Sequence, residues 1–285
     1  ADGANVDSYE VLRGPAAVLY GGRPTLAGII MRSTKKPRMT PAYMVRGIAG
    51  SENFYRGEVD VTGPITDSLF GSNASLSYRF VGAMQRDEGF PTGDKDDRDA
   101  FFPALQVQFP NTIFRLSGEI SNQKTAGAPL GFFTPDVSQL YVGSDKGRNQ
   151  LWKEDWSYAH FSRSKVRFDV EHRFNDNWEA HLVYFRSNYD RKDRDVRPAG
   201  NPNFTTRTWA QQFFFNGTDA LLNVFSLDLV GKYELFGLSH ESFLGLYADR
   251  LSNDRYRSWY PMSSISIDNP VFNRIRPSAP AGADA

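Results

Sequence analysis

The chain has 285 residues, with 33 basic and 33 acidic side chains, so its formal net charge is zero. This balance gives no electrostatic reason to expect nucleic acid as a partner. There is no cysteine, which is compatible with an oxidising compartment. No apolar run approaches the roughly 20 residues that a membrane-spanning helix needs, and the polar, acidic first residues do not predict a signal peptide.

Residues 9–37 form a compact element in which two short apolar runs are broken by turns. Gly14 and Pro15 predict the first turn, because proline fixes its own φ and glycine avoids the steric limits of a residue before proline. Gly21 and Gly22 mark a second, exposed turn. A different kind of sequence follows this element.

After residue 38, apolar and polar residues alternate with a period of two, which predicts β-strands. The segments with this pattern are residues 42–50, 54–63, 74–85, 101–109, 112–120, 165–174, 178–189, 222–235 and 241–256. Residues 86–99, 123–162 and 190–206 are predicted loops. Residues 208–216 are either a loop hairpin or an outer extension of the next strand, and no period is visible after residue 258.

The two faces of these strands differ in polarity. We expect Tyr78, Phe80, Phe168 and Val170 to face lipid, and Arg79, Arg167, Asp169 and Glu171 to face a lumen. Short turns near residues 66, 110, 175 and 236 alternate with longer loops, as in outer-membrane barrels. A soluble β-sandwich would show the same alternation of apolar and polar residues, but there is no physical reason for its short and long loops to alternate along the chain. The fold class predicted is all-β, a partial transmembrane antiparallel β-barrel.

The sequence motifs EVLRGP, VLYG, AGIIM and TKKP resemble the end of the plug domain of TonB-dependent outer-membrane receptors, most of all the ferric-siderophore receptors. The motif residues are Gly14, Pro15, Tyr20, Gly21, Gly28, Lys35 and Pro37. The resemblance implies that residues 1–38 are the C-terminal part of a plug domain and residues 39–285 the N-terminal part of the receptor β-barrel. Because such barrels have about 22 strands, nine strands are expected to be a piece of one.

The resemblance also implies a function, which is energy-coupled uptake of a ferric siderophore across the bacterial outer membrane, without enzymatic activity. The implied partners are the ferric siderophore, outer-membrane lipid and TonB of the TonB–ExbB–ExbD complex, reached through a segment outside this sequence. No cofactor is expected, because iron would arrive as ferric siderophore. Another nutrient, such as cobalamin or a glycan, remains an alternative cargo, and an outer-membrane enzyme barrel is an alternative of a different class.

In the family, an arginine at the position of Arg13 pairs with barrel glutamates and helps to lock the plug in the lumen. Glu10 is a nearby candidate partner, because a buried guanidinium needs a carboxylate. A purely structural ion pair without a role in gating is the competing interpretation.

Ligand-binding candidates are residues of the second turn and aromatic residues of the long loop. They are Arg23, Phe132, Phe133, Tyr141, Trp152, Trp156 and Tyr158. Aromatic rings suit a large, partly apolar chelate. Packing within the loops or at the membrane interface is the alternative role for each of them.

Metal sites are not predicted. Asp94, Asp96, Asp97 and Asp99 crowd one predicted loop, but the spacing of a calcium-binding EF-hand is absent, which favours a solvated loop. The four histidines are scattered and form no zinc motif.

Overall fold

The structure is a computed structural model that describes residues 2–13, 28–90, 93–126 and 153–277. Its strands are β1 (Val6–Arg13), β2 (Gly28–Thr34), β3 (Ala42–Ala49), β4 (Tyr55–Thr66), β5 (Ser75–Arg86), β6 (Asp96–Gln108), β7 (Thr112–Thr125), β8 (Tyr158–Arg173), β9 (Trp178–Pro198), β10 (Thr208–Leu235) and β11 (Leu238–Ser266). Two single-turn 3-10 helices lie at Gly3–Asn5 and Leu69–Gly71. Within these ranges, no helix has the length and apolarity to cross a membrane.

Strands β1 and β2 form a small antiparallel sheet of their own, with Arg13 opposite Gly28 at one end. Gly28 has a φ of +116°, and a Cβ atom there would lie 2.2 Å from the carbonyl oxygen of Leu12. Only glycine fits this close approach of the two backbones. We call the described residues 2–13 and 28–38 the plug segment, whereas a domain boundary at residue 38 stays a prediction.

Strands β3 to β11 form a second sheet, the wall, in which every strand pairs antiparallel with its neighbours in sequence. At one end of the wall the connections are short, and Leu235 and Leu238 are joined by a two-residue turn. Phe236 and Gly237 both have positive φ in this turn, 54° and 74°, as a type I′ hairpin requires. The connections at residues 87–95, 126–157 and 199–207, at the opposite end, are longer.

Many large apolar side chains of the wall are exposed, whereas many of its charged side chains are buried. In β5, Phe80 and Met84 are 41% and 57% exposed, whereas Arg79 is only 7% exposed. We call the face that carries Arg79 the inner face, because the plug segment packs on it. Side chains alternate along each strand, so cross-strand register places Arg167, Asp169 and Glu171 on the inner face as well. An outward apolar face is favourable against lipid, which is the predicted arrangement.

The later strands are much longer than predicted. β10 and β11 have 28 and 29 residues, whereas about 9–11 tilted residues cross a membrane. Their outer parts therefore project beyond the bilayer, and residues 208–216 are the outer extension of β10 rather than a loop hairpin. The prediction of a loop over residues 190–206 was wrong up to Pro198, and β11 continues to Ser266 through the tail that showed no period.

The missed outer part of β9 has a physical cause. Asp193, Arg194, Asp195 and Val196 are all at most 2% exposed, so both faces of this part of β9 are covered. A strand that is buried on both faces has no alternation to detect. The predicted loops at residues 86–99 and 123–162 are also shorter, because β6 begins at Asp96, β7 ends at Thr125 and β8 begins at Tyr158.

Candidate functional site

The contact between the plug segment and the inner face is built around a buried carboxylate. Asp60 in β4 accepts a hydrogen bond of 2.8 Å from Lys35 Nζ. It also accepts two from Arg79 in β5, of 2.8 Å from Nε and 2.7 Å from Nη2. A third donor of Arg79, Nη1, reaches the backbone carbonyl of Lys36 at 3.0 Å. One acidic and two basic groups thus join the end of the plug segment to two wall strands.

A second ion pair ties the beginning of the plug segment to the wall. Arg56 of β4 binds Asp2 with both terminal nitrogens, at 2.6 and 2.9 Å, and binds Glu58 through Nε at 2.7 Å. Asp2 also accepts a hydrogen bond from the backbone N–H of Ala4. Burial acts to raise the pKa of Asp2, but the bonds from Arg56 and Ala4 outweigh it, and the pKa lies below its ordinary value.

Backbone and apolar contacts complete this interface. The amide of Lys35 donates to the carbonyl of Asn5, and the amide of Arg38 donates to Thr62 Oγ1. Ala4 packs in an apolar cluster with wall residues Val81, Ala83, Ala100 and Phe102. The two ends of the plug segment are therefore held against β4, β5 and β6 by charge, backbone bonding and packing together.

The inner face beyond this contact carries further ion pairs between neighbouring strands. Lys165 Nζ lies 2.5 Å from Glu119, and Arg115 Nη1 lies 3.2 Å from Glu171. Such pairing reduces the high cost of holding charges away from water. Within the described ranges, no group of three His, Cys, Asp or Glu side chains is placed to hold a metal ion.

The predicted lock residues lie on β1. Glu10 and Arg13 are both exposed, and because they are three positions apart on one strand they point to opposite faces. They are therefore not the local pair that the sequence suggested. Pairing of Arg13 with barrel glutamates stays a prediction.

Of the predicted motif residues, Gly28 closes the β1–β2 pair, Lys35 binds Asp60 and Pro37 is buried. Nine predicted site residues lie outside the described residues. They are Gly14, Pro15, Tyr20, Gly21, Arg23, Phe132, Phe133, Tyr141 and Trp152.

The two described aromatic candidates for ligand binding do not face the lumen. Tyr158 is the first residue of β8 and is even-numbered, like the outward-facing Phe168. Trp156 packs edge-on against Phe213 at 5.6 Å, and its indole N–H donates to the carbonyl of Arg274 at 2.7 Å. Phe213 shares the lipid-side parity of β10, so Trp156 braces the projecting strands from outside. These contacts fit the packing role that was the alternative for each residue.

The predicted solvated loop of aspartates is also different in the structure. Asp96, Asp97 and Asp99 lie in β6, and Asp96 pairs with Arg98. Sequence reasoning did not single out Asp2, Arg56, Asp60 or Arg79 as one site. Their only local signal was the charged face of each strand, because which charges meet depends on the register between strands.

Comparison with known proteins agrees with this architecture. No family model matches the chain. It is 26% identical over 275 residues to the ferrioxamine B receptor of Salmonella typhimurium, covering 94% of the chain and 37% of that receptor. It is 24% identical over 290 residues to the metal-pseudopaline receptor of Pseudomonas aeruginosa, covering 99% of the chain and 39% of that receptor. Among solved structures, the ferripyoverdine receptor of the Pseudomonas aeruginosa outer membrane superposes with a TM-score of 0.80 at 23% identity, covering 91% of this chain and 34% of that one.

The fold matches part of the β-barrel of a solved outer-membrane receptor, and the small β1–β2 sheet with its flanking residues lies against the inner face of the wall. The comparisons confirm the resemblance predicted from the sequence, since the chain is similar over nearly its whole length to proteins named as siderophore receptors. The chain spans about two fifths of the length of the curated relatives described above.

Proposed function

We propose that the protein containing this chain imports a ferric siderophore across the outer membrane in a TonB-dependent step. The observation that carries the proposal is the similarity to siderophore receptors over nearly the whole chain, including the plug segment. The relatives are named as receptors, which supports a transport role over an enzyme barrel. Iron would enter as part of the chelate and not as a resident cofactor.

The plug contact suggests how the chain contributes to transport. A plug has to close the lumen at rest and rearrange when the cargo passes. Lys35 and Asp2 attach the two ends of the plug segment to the wall through side chains. Ion pairs can separate and re-form without breaking covalent bonds, so these contacts would let the plug change shape while the chain continues into β3.

The similarity to a metal-pseudopaline receptor, over 99% of the chain, favours a second candidate cargo. This cargo would be a metal–pseudopaline chelate. Cobalamin and glycan receptors do not appear among the relatives described above, so those alternatives gain no support.

The test uses the full-length receptor gene. A deletion strain starved of iron is supplied with radioactive iron as a ferric trihydroxamate, a ferric tris-catecholate or a pyoverdine-type chelate. The proposal expects restored uptake of at least one chelate when the gene is returned, and loss of that uptake in a strain without TonB. Uptake that persists without TonB, or no gene-dependent uptake of any ferric chelate, would contradict it. Matched uptake assays with metal–pseudopaline chelates test the second candidate.

A further inference from the structure

Two arginines and two aromatic rings form a patch on the inner face of β8 and β9. Register places Phe161 opposite Arg191 and Arg163 opposite Tyr189. The Arg191 guanidinium lies over the Phe161 ring at 5.0 Å, and that of Arg163 lies over Tyr189 at 5.3 Å. All four residues are odd-numbered, like Arg167 and Asp169 of the inner face, and we call them the arginine–aromatic patch.

The charges around the patch are unevenly compensated. Arg191 binds Asp193 at 2.9 Å, and Lys165, two residues from Arg163, binds Glu119. Among the residues that the structure describes, no carboxylate pairs with Arg163, whose guanidinium lies over the Tyr189 ring. A half-buried guanidinium without an anion keeps its full capacity for charged hydrogen bonds.

The patch borders an open space beside the plug segment. A hollow of about 290 Å³ is lined by Phe161, Arg163 and Tyr189 of the patch and by the charged residues Asp2, Arg98 and Asp99, among others. Arg98 is paired with Asp96, and Asp99 is paired with Arg86. Asp2 is already bound by both terminal nitrogens of Arg56, so it is not available to neutralise Arg163. The hollow therefore offers one free guanidinium and two aromatic rings to a molecule that lies on the plug segment.

We propose that the arginine–aromatic patch binds an anionic metal chelate, with Arg163 donating to its negatively charged oxygen atoms and the rings of Phe161 and Tyr189 covering its flat apolar part. This inference rests on the proposed function and narrows its cargo to chelates with net negative charge. Guanidinium groups suit this role, because their fork of N–H donors matches paired oxygen atoms. Aromatic rings add apolar contact area at low entropic cost.

The experiment measures binding to the full-length receptor in detergent by quenching of intrinsic fluorescence. The probes are a ferric tris-catecholate, which is anionic, and a ferric trihydroxamate without net charge. Arg163→Gln is expected to weaken binding of the anionic probe by about tenfold or more, the effect of losing one charge-assisted hydrogen bond, and to leave the uncharged probe within about twofold. Arg163→Lys should retain most of the affinity for the anionic probe.

Arg186→Gln is the matched control, since Arg186 lies on the opposite, outward face of β9 and is exposed. It should leave both affinities unchanged. Equal weakening of both probes by Arg163→Gln, or no weakening of either, would overturn the role of Arg163 while leaving uptake itself intact. A receptor that binds no ferric chelate would overturn the proposed function together with this inference.

A salt titration of the parent receptor keeps the inference testable if Arg163→Gln does not fold. Affinity for the anionic probe should fall with rising salt, because screening weakens a partly exposed charge contact, and affinity for the uncharged probe should not. Equal salt dependence of the two probes would count against the patch.

Discussion

Replacing Asp60 by asparagine is the sharpest test of the contact between plug and wall. The substitution keeps the size of the side chain and removes its charge. It leaves Lys35 and Arg79 as two unpaired cations, with side chains only 19% and 9% exposed. Removing one partner of a buried ion pair costs about 3–5 kcal/mol, because the remaining charge is uncompensated.

The lower end of that range applies here. Lys35 keeps some access to water, and the asparagine oxygen can still accept one hydrogen bond. Lowering the free energy of local opening by about 3 kcal/mol corresponds to roughly 100-fold faster exchange of protected amides. The amides to follow are those of Lys35 and Arg38, which donate to Asn5 and Thr62.

The assay is hydrogen exchange with mass spectrometry on the full-length receptor in detergent. Asp268→Asn is the matched control, since Asp268 pairs with Arg207 in an exposed position far from the plug segment. It should leave exchange at residues 34–38 unchanged. If Asp60→Asn folds normally and these amides exchange as slowly as in the parent, the ion pair does not hold the plug segment.

Three further predictions concern Arg13, the lipid-facing side of the wall and the ion pair between Asp2 and Arg56. Arg13→Ala should leave ligand affinity nearly unchanged, but it should speed amide exchange across residues 11–20 and alter uptake. Loss of ligand binding with unchanged amide exchange would instead make Arg13 a ligand contact. Phe80→Arg should destabilise the barrel by about 2–4 kcal/mol in lipid vesicles, since it puts a charge on the lipid face. Urea unfolding measures this loss with Phe80→Leu as the control, and a smaller loss would mean that this face is solvated. The contact between Asp2 and Arg56 should persist above pH 3.8, the ordinary pKa of aspartate, and be lost as pH falls through the lower pKa of the folded state. The measurement is the protection of the Ala4 amide, which is its exchange rate relative to the intrinsic rate at the same pH, and Asp2→Asn should remove the pH dependence of this protection.

The sequence by itself determined the class of fold and the faces of the shorter strands. In β5 and β8 the period-two pattern separates Phe80 and Phe168 from Arg79 and Asp169, and the structure keeps that separation. The pattern is local, because successive side chains of a strand must point to opposite faces. The plug-like sequence motifs around Arg13 likewise indicated the family without any knowledge of the tertiary structure.

Only the tertiary structure decided which charges meet and how far the strands extend. Asp60 lies 25 positions from Lys35 and 19 from Arg79, and Asp2 lies 54 positions from Arg56. Such pairs arise from strand register and from the packing of the plug segment, neither of which is written in a local pattern. The outer part of β9 escaped prediction for the complementary reason, since a strand covered on both faces loses the alternation by which a strand is recognised.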